Sequence, residues 1–350
     1  MKLFVRCFRD RDWRCRTGAA LGVTLLLAVV VYGRFVWANG PVSVRLVVYA
    51  FSTQEEALSQ AIFPAFEQAW EAETGRELTI EGVFGPSATL AGQINLGAPA
   101  DVALFSNAQH VTHLRVGHRV IEDNQPAVIS RTPMVIVTRP GTQPAITEFS
   151  DLARPGLQLL HADPLSSGGG QWAVLAEYGS ALLESNDPRA AERQLQAIWR
   201  NVRLLGASAR ATLTLFELGA GDAFVTYEND ALLAQQRGIP LEIVVPSRTI
   251  VAQHVAVIVD GNVTSAERPV AQAFVDYLCS QAGQEAFQRY HLRPADLESD
   301  PFPGISQPFT VDDLGGPSEA YTEVVERLWQ TEIEPRLTLE AAPRLLDSGE

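Results

Sequence analysis

Lysine is almost absent from this 350-residue chain: Lys2 is the only one. The rest of the chain therefore offers no P-loop lysine for phosphate, no Schiff-base lysine and no Ser–Lys dyad. Cysteine is scarce too. Cys7 and Cys15 precede an apolar N-terminal run, and Cys279 stands alone beyond it. An exported body would then hold no internal disulfide. Cys279 falls in an apolar helical stretch and is expected in the core. No G-x-S-x-G elbow occurs. The nearest stretch, Gly85-Pro86-Ser87-Ala88-Thr89, lacks the second glycine, and no histidine is placed for Ser167. That argues against an exported serine hydrolase, and the chain is not read as an enzyme. Internal repeats and low-complexity segments are missing as well.

Basic charge is in short supply outside the N-terminus. Residues 1–38 hold seven of the 27 basic residues and two of the 41 acidic ones, so the remainder is more acidic than the whole, at −19 against −14. Such a body repels nucleic acid and anionic lipid surfaces, so no nucleic-acid partner is expected. Any anion it holds must be held by local donors, against the overall field. The basic segment 1–16 leads into residues 17–33, TGAALGVTLLLAVVVYG. Residues 1–38 therefore read as a signal peptide cleaved after Val36-Trp37-Ala38, or as an uncleaved membrane anchor. Both readings export the body to the periplasm or another extracytoplasmic space. In the second, residues 17–33 tether it to the inner membrane.

What is present is an alternation of short apolar strands and amphipathic helices, the pattern of a mostly parallel, helix-covered sheet. Val44–Ala50, Leu78–Val83, Ala100–Leu104, Thr132–Thr138, Leu157–Leu160, Asp222–Tyr227, Leu241–Val245 and Val251–Asp260 read as strands. Helices are expected over Glu55–Glu73, Thr89–Leu96, Trp172–Tyr178, 180–203, Thr212–Leu218 and Val270–Tyr290. The strands near 130–138 and 247–259 are separated by about a hundred residues with strand–helix units of their own. Two chain crossings between two lobes would look like this, with a cleft between them for a small ligand.

Three small-residue turns feed helix starts. The most informative is Ser166-Ser167-Gly168-Gly169-Gly170. Either serine can cap the orphan N–H groups of a first helical turn. The glycines bring no side chains, so a ligand can approach the backbone. A helix N-terminus also carries partial positive charge and free donors, which suits a small anion. Ser87, after Phe84-Gly85-Pro86, reads as an ordinary N-cap with ligand contact as the alternative. Leu204–Arg210 is the third such turn. His110, His113 and His118 lie in a polar stretch. No cysteine or carboxylate cluster completes a metal site there, and they read as surface histidines. No metal or other cofactor is expected.

The segments DPLSSGGGQW (163–172), SARATLTLFELGAGDAFVTYENDALL (208–233), VVPSRTIVAQHVAVIVD (244–260) and AFVDYLCSQAGQEAFQRYHLRP (273–294) converge on one family. From about Arg45 to Arg336 the chain resembles the sulfate and thiosulfate solute-binding proteins of bacterial importers driven by ATP-binding-cassette subunits. The resemblance implies an α/β periplasmic-binding-protein fold of type II, with two lobes, two crossing hinge strands and an anion cleft between the lobes. Residues 39–130 with about 250–300 would form one lobe and 131–249 the other, with 301–350 packing on them. It implies a monomer that captures sulfate or thiosulfate and delivers it to a membrane permease, with molybdate, tungstate or an organic sulfonate as alternatives. By position, Ser167, Gly168 and Gly169 match the family's Ser-Gly-Gly contact, Ala209 its backbone donor and Ser87 its serine. Arg210 matches an arginine that does not touch the anion. Three positions depart from the pattern. Tyr227 stands at the family's indole donor; a ferric-ion site using its phenolate would call for an adjacent pair of tyrosines, and the sequence has no such pair there. Ser52, or Thr53 by a one-residue slip, stands at the family's aspartate. Pro86 replaces a glycine and removes one donor.

Overall fold

The structure is a computed structural model that describes residues 43–296 and 300–335. The expected signal peptide or anchor, residues 1–38, lies outside the described residues. Among the described residues no helix is long and apolar enough to cross a membrane. They fall into two compact units. The smaller takes Val44 and Ala69–Leu78, and the larger takes Arg45–Gln68 and the chain from Thr79. In the smaller unit the Val44 N–H donates to the Glu77 carbonyl (2.8 Å), and the Leu78 N–H donates to Glu71 Oε1 (3.1 Å).

The strands are β1 (Val44–Phe51), β2 (Leu78–Gly85), β3 (Val102–Phe105), β4 (Ala127–Thr138), β5 (Leu159–Ala162), β6 (Val202–Gly206), β7 (Ala223–Tyr227), β8 (Glu242–Val244), β9 (Arg248–Ile258) and β10 (Gln307–Phe309). They form one path in the order β2-β1-β3-β9-β4-β7-β5-β6, with β10 added to β9 and β8 to β4. The same arrangement occurs twice along it. β1 runs parallel to β3, which meets β9 antiparallel. β5 runs parallel to β6 and β7, and β7 meets β4 antiparallel. Each half is thus ordered second, first, third, crossing strand. β4 and β9 are long enough to serve both halves: they pair from Ala127↔Ala256 to Pro133↔Val251, and β4 then turns to β7 from Met134 onward.

The inner strands carry near-continuous apolar runs because helices cover both faces, whereas β2 and β6, at the ends of the path, are mostly exposed or half-buried. β3, β5 and β7 are buried at every residue. Val47, Tyr49, Ile94, Phe105, Val111 and Val257 belong to one core cluster. Met134, Trp172, Leu195, Trp199, Val225 and Trp329 belong to another, which extends under the C-terminal helix Tyr321–Ile333.

Several helix boundaries differ from expectation for local reasons. The glycine turn belongs to the helix it was expected to precede, so that helix runs Gly168–Ser185. It stops at Asn186 in a left-handed conformation. Asp187 then caps a new helix, Pro188–Trp199, by accepting from the Arg189 N–H, with Pro188 at its start. The single helix expected over 180–203 is therefore two elements, and its last residues form β6. Ser280 breaks the expected Val270–Tyr290 helix into Arg268–Cys279 and Gln281–Arg289, accepting from the Gly283 N–H. Cys279, at the end of the first of these, is exposed and not in the core.

The surface reading of the histidines holds only for His118. His110 is fully buried in the helix Gln109–Val116, and His113 is half-buried beside it, ring centroids 5.9 Å apart. The helix turns its His110 face onto Phe105 (5.6 Å between centroids), so a polar-looking stretch has a buried side. Burial depresses His110 to about 3, with His113 adding to the effect, and burial does the same to His254. Unfolded imidazole, with a pKa of about 6.5, takes up a proton on acidification where these rings do not. Their contribution to stability is thus complete above pH about 6.5 and is lost as pH falls toward 3. His110 makes no hydrogen bond to the described residues, so His110→Leu deletes the titration without breaking one. In denaturant melts the variant is expected to lose about 2 kcal/mol less than wild type between pH 7 and pH 5. An identical loss would show that His110 is protonated in the folded protein.

Candidate functional site

Six strands end at one small hollow. It is lined by Phe51 at the tip of β1 with Ser52 and Thr53 after it; Gly85 at the tip of β2 with Pro86 and Ser87 after it; Ser106 after β3; Ser167, Gly168 and Gly169 after β5; Ser208 and Ala209 after β6; and Tyr227 at the tip of β7. The carboxyl ends of such strands are where α/β sheets place their ligands. All eight residues singled out from the sequence, Ser52, Thr53, Ser87, Ser167, Gly168, Gly169, Ala209 and Tyr227, are on this wall. The hollow is small, with a free volume of about 10 Å³. Organic-ligand pockets run to roughly 300–1,000 Å³, so this one suits at most a ligand of a few heavy atoms.

Three helices begin on the wall: Ser87–Asn95, Gly168–Ser185 and Ala209–Glu217. The N–H groups of a first helical turn have no carbonyl of an earlier turn to meet. Each start therefore brings donors and the positive end of a helix dipole. Ser167 is the N-cap expected of it: its Oγ accepts from the Gly169 N–H at 3.1 Å, which leaves its own proton free. Ser208 does the same for the Ala211 N–H. Ser87 does not cap its helix; Pro86 holds the N-cap position and offers no side-chain hydrogen bond. Ser87 Oγ instead faces Ser106, accepting from its N–H at 3.1 Å.

No wall residue carries a formal charge. The nearest charges are turned away. Arg210 is ion-paired with Glu56 and with Asp230 (3.1 Å), so it does not reach inward. Burial opposes its charge, but Asp230 and Glu56 outweigh that and raise its pKa. Burial pushes the Asp230 carboxyl up, while Arg210 and Thr53 pull it back. The Thr53 hydroxyl donates to Asp230 Oδ2 at 2.9 Å. Its side chain is thus committed, and of the two candidates at that turn only Ser52 keeps a free hydroxyl. Tyr227 is 1% exposed, and its hydroxyl meets no group of the described residues at hydrogen-bonding geometry. Burial raises its pKa far above the ordinary phenol range, and nearby Ser106 offsets this only in part. The phenol keeps its proton and is a donor looking for an acceptor. Among the described residues no three metal-ligating side chains come together.

Close packing holds the wall together. A Cβ on Gly169 would stand 3.0 Å from the Ala209 Cβ and 3.3 Å from the Tyr227 ring. A Cβ on Gly168 would fall within the Ser106 hydroxyl. Sequence reasoning missed Ser106 and Ser208. Ser208 was legible as a serine just before a helix start. Ser106 follows a strand with no glycine or helix signal to mark it.

Residues 46–293 match the bacterial extracellular solute-binding protein family, and the chain belongs to it. The chain is 33% identical over 277 residues to the sulfate-binding protein of Escherichia coli (strain K12), covering 74% of this chain and 83% of that one. It is 30% identical over 288 residues to the sulfate-binding protein of Synechococcus elongatus, covering 79% and 81%. The solved structure of the sulfate-binding protein SubI from Mycobacterium tuberculosis H37Rv matches with a TM-score of 0.72 at 26% identity, over 81% of this chain and 98% of that one. The fold is the two-lobed periplasmic-binding-protein fold of type II, with β4 and β9 as its crossing strands.

Gly168→Ala is expected to weaken any anion held in the hollow by at least about a hundredfold, since a methyl group would overlap the Ser106 hydroxyl. Gly92 sits within the helix Ser87–Asn95 with open space around it. Gly92→Ala should keep binding and gain up to about 1 kcal/mol of stability. Calorimetric titration and thermal melts of both variants check this; full binding by Gly168→Ala would show that the turn is not part of the site.

Proposed function

We propose that this protein is an exported solute-binding protein that captures sulfate or thiosulfate and delivers it to an ABC-type permease. The observation that carries the reading is an uncharged hollow whose wall is built from helix starts, serine hydroxyls and a protonated tyrosine. Of the lobes expected from the sequence, the described residues up to 130 and from about 250 to 296 form one, 131–249 the other, and 300–335 packs on them. Ser52, Ser87, Ser167, Gly168, Gly169, Ala209 and Tyr227 contact the anion, and Thr53 contributes through its backbone. The body acts as a monomer outside the cytoplasm, tethered to the membrane where residues 17–33 are retained. The names of its relatives, binding proteins and not enzymes, agree with capture without covalent chemistry.

The energetics fit. Hydrogen bonds to a charged group contribute roughly 1.5–3 kcal/mol each. About five or six suffice for roughly micromolar affinity, near −8 kcal/mol, after ordering costs. Closure of the lobes over the anion is then the state that a permease reads. Selectivity comes from protonation. Sulfate carries no proton at neutral pH, whereas phosphate often does and leaves that proton facing donors. A ferric site would need phenolate, and Tyr227 holds its proton too firmly for that reading to be preferred.

In competition calorimetry with sulfate, thiosulfate, molybdate and phosphate, sulfate or thiosulfate should bind tightest and phosphate at least about a hundredfold more weakly. Ser167→Ala should weaken the preferred anion about tenfold or more. Tight phosphate binding would count against a wall of donors, and unchanged affinity in Ser167→Ala would remove that residue from the site.

A further inference from the structure

We propose that Ser106 is a positioning residue for the anion: it acts through Ser87 and ties the setting of the Ser87 hydroxyl to lobe closure. This rests on the anion-binding reading above. Ser106 follows the last residue of β3, and both serines are 1% exposed. The Ser106 N–H donates to Ser87 Oγ, and the Ser87 hydroxyl lies 3.0 Å from Ser106 Oγ. A hydroxyl has one proton and two lone pairs. The backbone N–H fills one lone pair of Ser87, so its proton has few directions left. Between themselves the two hydroxyls then have two settings, with the Tyr227 phenol as a further neighbour of Ser106. In one, Ser87 donates to Ser106. In the other, Ser106 donates to Ser87, and the Ser87 proton is released toward an acceptor in the hollow. The second setting is a chain of three donors, Ser106 N–H and Ser106 O–H onto Ser87 and Ser87 O–H onto the anion, in which each bond polarises the next.

The same residue also reaches the other half of the sheet. Its carbonyl accepts from the Trp172 indole N–H at 2.8 Å. Its neighbour Asn107 donates to Gln171 Oε1 at 2.9 Å. Trp172 and Gln171 belong to the first turns of the helix Gly168–Ser185, whose opening glycines line the hollow. Gly168 packs so closely on Ser106 that any other residue there would push the Ser106 hydroxyl aside. A third bond, Ala88 N–H to the Ser166 carbonyl at 3.1 Å, joins the turn after Ser87 to the serines before those glycines. Ser106 therefore sits where three things meet: the Ser87 hydroxyl, the glycine turn and the indole that fixes that turn's helix. When the halves come together, the Ser106 carbonyl and hydroxyl are set together, and Ser87 with them.

The test is a double-mutant cycle by calorimetry on the full-length protein. Wild type, Ser106→Ala, Ser87→Ala and the double variant are titrated with sulfate, thiosulfate, molybdate and phosphate. Each single variant is expected to weaken the preferred anion about tenfold or more, with the double variant no weaker than Ser87→Ala. A merely structural Ser106 would give losses that multiply, and that outcome overturns the proposal, as does an unchanged affinity in Ser106→Ala. If wild type binds none of the four anions, the proposed function falls and this inference with it; multiplied losses on a wild type that binds sink the inference alone. Trp172→Phe, which removes the indole donor, is expected to speed anion dissociation severalfold in stopped-flow release. An unchanged rate would sever Ser106 from closure.

Discussion

The hollow is walled by groups without charge, and the doubly charged anion proposed for it, once taken out of water, would need a donor for every lone pair it exposes. The body of the chain is strongly acidic and nearly lysine-free. Its arginines near the hollow are spent on Glu56 and Asp230. What is left is the peptide group itself, aligned at the starts of helices where its N–H has no intrahelical partner. The rest of the architecture can be read as the apparatus for bringing such starts together. Strands are the shortest route across a core, and each strand that ends on the hollow is followed by a turn that opens a helix or caps one.

The buried charges nearby make sense in the same terms. Asp230 lies fully buried beside the wall, where an unpaired carboxylate would repel any anion. Arg210 and the Thr53 hydroxyl neutralise it, and Glu56 in turn occupies the outer side of Arg210. The network keeps a cation close to the site without letting it into the site. A guanidinium in direct contact would add affinity, but a row of fixed dipoles releases its ligand more readily and needs no counter-charge once the ligand has gone.

Much of this was legible from residues alone. The Ser-Gly-Gly turn announced itself as a small-residue helix start, whereas Ala209 and Tyr227 were picked out only through the family resemblance; all of them lie on one wall. What failed did so because the missing information is tertiary. A polar-looking stretch around His110 hid a buried face, since one turn of a helix against Phe105 is enough to bury a single side chain. Cys279 looked like core because its neighbours are apolar, yet it occupies the end of its helix where Ser280 turns the chain. Ser87 looked like a cap because serines before helices usually are; Pro86 took that position, and the hydroxyl was turned toward a residue nineteen positions away. Ser106 carries no sequence mark at all. Only the pairing of β1 with β3 brings its strand end beside the others.

The duplicated strand order has a consequence of its own. No repeat is visible in the sequence, yet both halves solve the same problem with the same layout: second, first, third, crossing strand. Each half presents three tips, and each tip is a short loop anchored on both sides by regular structure. Such a scaffold is modular at its rim. A change of cargo needs no new architecture, only the exchange of one loop at a time while the remaining five hold their shape, so closely related chains can diverge in diet long before they diverge in form.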